Sequence, residues 1–146
     1  SLSIIYYHTQ QPEMAARLKR NEIEIRKRLQ EDVSLIDWAT YFMYIVDINP
    51  AEVIEMSESI DIKTDVNGGL ANYYLVLGKA YSNLLDTQNL YIDTAEQYFK
   101  KVDSVLLTDR GYFEDYHLDS IILSNLCNAW AKHYSHLNQR EKSYEF

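Results

Sequence analysis

The chain has 146 residues, 47% of them hydrophobic and 25% charged, which fits one domain able to bury a sizeable core. Its net charge of −8 disfavours direct contact with a nucleic-acid backbone, and no run of about 18 apolar residues is present to cross a bilayer. A single cysteine, Cys127, excludes an intrachain disulfide and suits a reducing, cytoplasmic setting. Four Gly and two Pro beside thirteen Tyr argue for long helices joined by brief connections. The opening Ser1-Leu2-Ser3-Ile4-Ile5-Tyr6-Tyr7 lacks both the cationic lead of a signal peptide and an initiator Met, so a piece of a longer chain is expected. Residues 1–30 hold Arg17, Lys19, Arg20, Arg26, Lys27 and Arg28 against Glu13, Glu22 and Glu24. This basic run is expected to be the solvated face and cationic C-terminal end of one helix, where positive charge complements the dipole.

In chain order, Met14, Leu18, Ile25 and Leu29 recur near helical spacing and predict a helix from Pro12 to Gln30, with proline in its first turn. Asp32 or Ser34 can cap the next helix, in which Leu35, Trp38, Tyr41, Phe42 and Ile45 fall three and four apart. Asn49-Pro50 ends it, and Ala51 to Ile60 forms the return, with Val53, Met56 and Ile60 on one side. After an Asn67-Gly68-Gly69 turn, helices are expected over Leu70–Leu85 and Thr94–Leu107. Thr108-Asp109-Arg110-Gly111 punctuates again, and a long helix follows from Phe113 to Leu137. Asn138-Gln139 is expected to close that helix and open another.

One spaced pattern occurs twice. Tyr74-x2-Leu77-Gly78-x2-Tyr81 is followed after a turn by Ala95-x3-Phe99-x2-Val102, and Cys127-x2-Trp130-Ala131-x2-Tyr134 by Ser143-Tyr144-Glu145-Phe146. A tiny residue facing a small one lets two helix backbones approach while aromatics fill the flanks. Gly78 and Ala131 are thus the expected contact points, and Cys127 a small buried thiol. Trp38-x2-Tyr41-Phe42-x2-Ile45 is a degenerate third copy in which bulky Phe42 would push the helix pair apart, and Tyr7 to Ile23 offers the tail of a fourth.

These residues resemble tetratricopeptide (TPR) repeats, whose period-repeated helical hairpins stack into arrays. The resemblance implies an all-α domain over residues 1–146, with antiparallel helix-hairpin repeats stacked as a right-handed superhelix. It also implies a concave groove lined by the first helix of each pair. On that frame the groove-side residues are Asn72, Leu75, Lys79, Ser82 and Asn83 on one helix, and Asn125, Asn128, Lys132, Ser135 and His136 on a later one. Asn amides can donate to and accept from a peptide backbone at once, and Lys supplies a point charge for a carboxylate. Ile36, Ala39, Met43 and Val46 would add an apolar section to the same groove.

The expected function is non-catalytic recognition of an extended protein or peptide segment, without membrane or nucleic-acid contact from this segment. Two alternatives stay open. One is the sensory domain of a bacterial cytoplasmic transcriptional regulator that binds a signalling peptide. The other is a structural scaffold, a homodimer among its forms, whose groove is filled by another copy or a neighbouring helix. No cofactor or metal is expected. His133 and His136 stand three apart but lack convincing further ligands, with His117 four turns away. Glu52, Glu55 and Glu58 read as solvated surface, and Asn67-Gly68-Gly69 is not followed by the Lys-Ser or Lys-Thr of a phosphate loop.

Overall fold

The computed structural model describes residue 3 and residues 11–62, 69–84, 90–108 and 116–144. Among these residues all regular structure is helical, as the sparse Gly and Pro content leads one to expect. The helices are α1 (Pro12–Arg28), α2 (Leu35–Ile45), α3 (Pro50–Ser57), α4 (Gly69–Asn83), α5 (Leu90–Thr108) and α6 (Tyr116–Tyr144). The Asn67-Gly68 step, the stretch 109–115 with the expected helix start at Phe113, the final Glu145-Phe146 and the first four residues of Tyr7–Ile23 lie outside the described residues.

Local chemistry sets the helix ends. Pro12 and Pro50 each open a helix, where the missing N–H costs nothing. Ser34, not Asp32, caps α2: its Oγ accepts from the Asp37 N–H, while the Asp37 carboxylate accepts from the Ser34 N–H. Asn49 caps α3 by accepting from the Glu52 N–H. At the end of α1, Gln30 adopts a left-handed backbone (φ 58°). The Gln30 and Glu31 N–H groups then fold back onto the carbonyls of Lys27 and Arg26, at 3.1 and 2.9 Å. This is the two-bond closure usually built on glycine.

Helix α4 is the centre of the molecule and touches α2, α3, α5 and α6. It is apolar on opposite sides. Tyr73, Val76, Leu77 and Ala80 join Ile23, Tyr41, Phe42, Val46 and Val53 in one buried cluster. Ala71 and Leu75 join Ala95, Phe99, Val102, Ile122 and Leu126 in a second. A helix buried nearly all round needs a close neighbour, and Gly78 provides the approach. A Cβ on Gly78 would stand 2.5 Å from the Phe99 ring, so only hydrogen fits where α4 and α5 meet. Outside this contact Tyr98 stacks on Tyr81 and packs against Tyr74, with the Lys101 ammonium over the Tyr74 and Tyr98 rings. Burial raises the Tyr73 phenol to about 12.

Several expectations are overturned. In α1 the buried stripe is Ala15, Ala16, Lys19 and Ile23; Met14, Ile25 and Leu29 are exposed, the last two by 54% and 64%. Lys19 is not part of a solvated face. Its Nζ lies 3.0 Å from the Asp37 carboxylate, which Arg26 grips from the other side at 2.8 Å, and Glu22 bonds both cations. This network fastens α1 to α2. Helix α5 begins at Leu90, ahead of Thr94, and α6 runs through Asn138-Gln139 without a break. Neither of those residues is a strong breaker, and Arg140, Glu141 and Lys142 favour continuation. The second motif therefore does not form the expected hairpin. Its face is also rotated: Ile122, Leu126, Ala129 and His133 are buried, whereas Cys127, Ala131 and Tyr134 are exposed and Trp130 is half-buried against Phe99. Ala131 is not a contact point between helices within the described fold.

Candidate functional site: a polar cluster beside an apolar cleft

The C-terminal halves of α2, α4 and α6 converge. At the centre lies Asp47, in the turn that follows α2. Its Oδ1 accepts from Lys132 Nζ of α6 at 3.1 Å and from Asn83 Nδ2 of α4 at 3.2 Å; Asn83 also donates to the Val46 carbonyl at 3.0 Å. Burial pushes the Asp47 carboxyl up, but the Lys132 bond, the nearby charge of Lys79 and the Asn83 bond outweigh it, and its pKa is held below the usual value. Lys79 is half-buried close by, and burial is the chief reason its pKa is lowered. Its Nζ rests 3.7 Å from Met43 Sδ. Two lysines therefore face one aspartate, a locally cationic spot on an acidic chain.

Met43 links this cluster to an apolar cleft of about 180 Å³ lined by Ile36, Ala39, Thr40, Met43, Tyr44 and Asn72. The helical pitch of α2 brings residues 36, 39, 40 and 43 to one side, while Phe42, Ile45 and Val46 turn to the core. Cleft and cluster are continuous through Met43 and Lys79.

Beneath the cluster runs a chain of side-chain hydrogen bonds. Ser82 Oγ lies 3.0 Å from His133 Nδ1, and His133 Nε2 lies 3.2 Å from Glu96 Oε1 on α5. His136 Nδ1 meets the Ser82 carbonyl at 3.1 Å and its hydroxyl at 3.4 Å. One donor pattern accounts for the three shorter contacts. His136 Nδ1–H donates to the Ser82 carbonyl, Ser82 O–H donates to His133 Nδ1, and His133 Nε2–H donates to the Glu96 carboxylate. A serine, a histidine and a carboxylate in line suggest a nucleophile. Yet Ser82 and His133 are both buried, and the hydroxyl serves two histidines, so no external carbonyl can reach it. The chain ties α4, α5 and α6 together. Both histidine rings are committed to Ser82, and among the described residues no cluster of three or more His, Cys, Asp or Glu has metal-ligand placement.

Of the residues expected in the groove, Lys79, Asn83, Lys132 and His136 come together here, and Asn72 lines the adjoining cleft. Asn125, Asn128 and Ser135 are exposed on the same face of α6 as Lys132. Three placements are corrections. Leu75 is fully buried in the second core cluster, Val46 is fully buried in the first, and Ser82 is an interior residue bonded to histidine. Sequence reading missed Asp47, Thr40 and Tyr44. For Asp47 a signal exists: an acidic side chain just past a helix C-terminus opposes the dipole, so a cationic partner elsewhere is expected.

Comparison of the chain with protein-family models, with curated proteins and with solved structures finds no match.

Proposed function

We propose that this chain is a TPR-like repeat domain whose helix pairs stack as a right-handed superhelix, and that it acts by recognition, without chemistry. The groove of α2, α4 and α6 holds an extended peptide segment. An apolar side chain enters the cleft of Ile36, Ala39 and Met43, and an acidic group meets Lys79 and Lys132. Asn72, Asn83, Asn125 and Asn128 supply amide contacts to the peptide backbone. The observation that carries this reading is the junction at Met43, where a half-buried lysine borders an apolar cleft. A lysine whose charged form is disfavoured by burial gains more from an incoming anion than a fully hydrated one does. Such a domain would serve in the cytoplasm, among whose properties a lone thiol is at home. Among the described residues no helix is long and apolar enough to cross a membrane.

The test is a synthetic peptide array probed with the purified chain. Peptides pairing a large apolar residue with a nearby carboxylate should be enriched. Lys132→Ala and Met43→Ala should each weaken the best binder at least tenfold with unchanged helicity by circular dichroism. An array without enrichment, or variants that bind as tightly as the parent, overturns the proposal.

A further inference from the structure

Asp47 stands among the donors that the groove offers a ligand, and it carries the ligand's own sign of charge. Its Oδ1 accepts one hydrogen from Lys132 and one from Asn83. The other amide hydrogen of Asn83 goes to the Val46 carbonyl, so that side chain keeps its oxygen for a peptide N–H. An incoming anion is left with the two ammonium groups. These are the remaining hydrogens of Lys132 and those of Lys79, whose Nζ rests against the Met43 thioether. Over Lys79, Lys132 and Asp47 the spot carries one net positive charge. That sum decides which acidic group fits. The attraction of a fixed site grows in proportion to the ligand's charge, whereas the cost of removing its water grows with the square. Lys79 is half-buried beside the apolar cleft, so part of that water must leave. A carboxylate brings the local sum to zero. A phosphoryl group, at about −1.5 to −2, overshoots it.

We infer that Asp47 is a specificity-determining residue, which tunes the groove to a carboxylate side chain and against a phosphorylated one. The inference rests on the groove reading and names the ligand's acidic group as that of Asp or Glu. Position suits Asp47 to this role. It lies in the turn after α2, its side chain is 57% exposed, and its partners come from α4 and α6. A negative charge just past a helix C-terminus opposes the dipole, so it does nothing for α2 itself. Its ion pair with half-exposed Lys132 contributes little to stability. Replacing it should therefore act on the ligand more than on the fold.

The test remakes the best acidic peptide of the array with phosphoserine, or with the matching amide, in place of its Asp or Glu. The parent chain should bind the carboxylate form more tightly than the phosphoserine form. Asp47→Asn keeps the shape and a carbonyl acceptor for Lys132 and Asn83, and removes the charge. A like charge about 4–5 Å away amounts to about fivefold in affinity in water, so carboxylate binding should tighten by about that factor. The phosphoserine form feels the same change with about twice the charge, and should tighten by about the square, on the order of twenty-five-fold. Asp47→Glu keeps the charge and should keep the preference for the carboxylate. The amide peptide should respond to neither substitution. A parent that prefers phosphoserine, equal gains for both anionic peptides in Asp47→Asn, or lost discrimination in Asp47→Glu overturns the inference. A second measurement separates it from the groove reading. Acetate and inorganic phosphate are titrated into the chain with its lysines isotope-methylated, and affinity is read from the Lys132 resonance. It should rise in Asp47→Asn, more for phosphate than for acetate. An array without binders defeats the groove reading alone; anion affinities that ignore Asp47→Asn defeat the charge inference alone.

Discussion

Gly78 shows how one missing methyl group sets the spacing of two helices. Gly78→Ala would gain about 1 kcal/mol of helix propensity, yet it would drive a Cβ into the fully buried Phe99 ring at an overpacking cost of about 1–3 kcal/mol. A lowered midpoint in thermal unfolding is expected; a raised one would show that Phe99 swings aside freely. Asp37 makes the corresponding electrostatic case. Burial raises its pKa, but bonds from Lys19 and Ser34 prevail and hold it below the usual carboxylate range. A carboxyl depressed in the folded state contributes stability that is full above its unfolded value and is lost as pH falls through the folded value. Thermal melts of the parent should therefore weaken below about pH 4, and Asp37→Asn should be less stable at pH 7 with a flatter acid limb. Equal acid limbs in the two proteins would remove Asp37 from the account.

At the scale of the helix, the ends of α1 and α2 offer opposite outcomes. Ser34→Ala removes the cap of α2 together with a hydroxyl bond to Asp37, and should cost about 1 kcal/mol in denaturant unfolding. Gln30→Gly should stabilise by about 0.5–1 kcal/mol, because the left-handed backbone there is strained for a side chain and the gain exceeds glycine's added entropy in the unfolded chain. Failure of the glycine variant to gain would place that strain elsewhere. Helix α6 is the element at which sequence reasoning went astray. The motif Cys127-x2-Trp130-Ala131-x2-Tyr134 has the spacing of a packed face, but α6 carries two apolar stripes, and periodicity cannot rank them. The decision went to Ile122, Leu126, Ala129 and His133. His133 is the unexpected member, accepted into the core because Ser82 and Glu96 satisfy both ring nitrogens.

For the whole molecule, the helix at the centre is the one whose sequence is apolar on two sides. Helix α4 divides the core into two clusters, and the C-terminal parts of α2 and α6 meet across it at Asp47.

Sequence alone determined the helical class, the breaks at Pro12 and Asn49-Pro50, the close approach at Gly78, and the polar residues Asn72, Lys79, Asn83, Lys132 and His136 that border the cleft and cluster. Each of these follows from local rules: proline's missing donor, glycine's missing Cβ, and the three-to-four spacing that puts residues on a shared side. Tertiary structure alone decided which face of α6 is buried, that Leu75 and Ser82 lie inside, that Lys19 sits in an ion-pair network, and that Asp47 holds the lysines. Those outcomes depend on partners distant in the chain, eighty-five residues apart for Asp47 and Lys132, and a one-dimensional pattern carries no measure of which distant partner a side chain will meet.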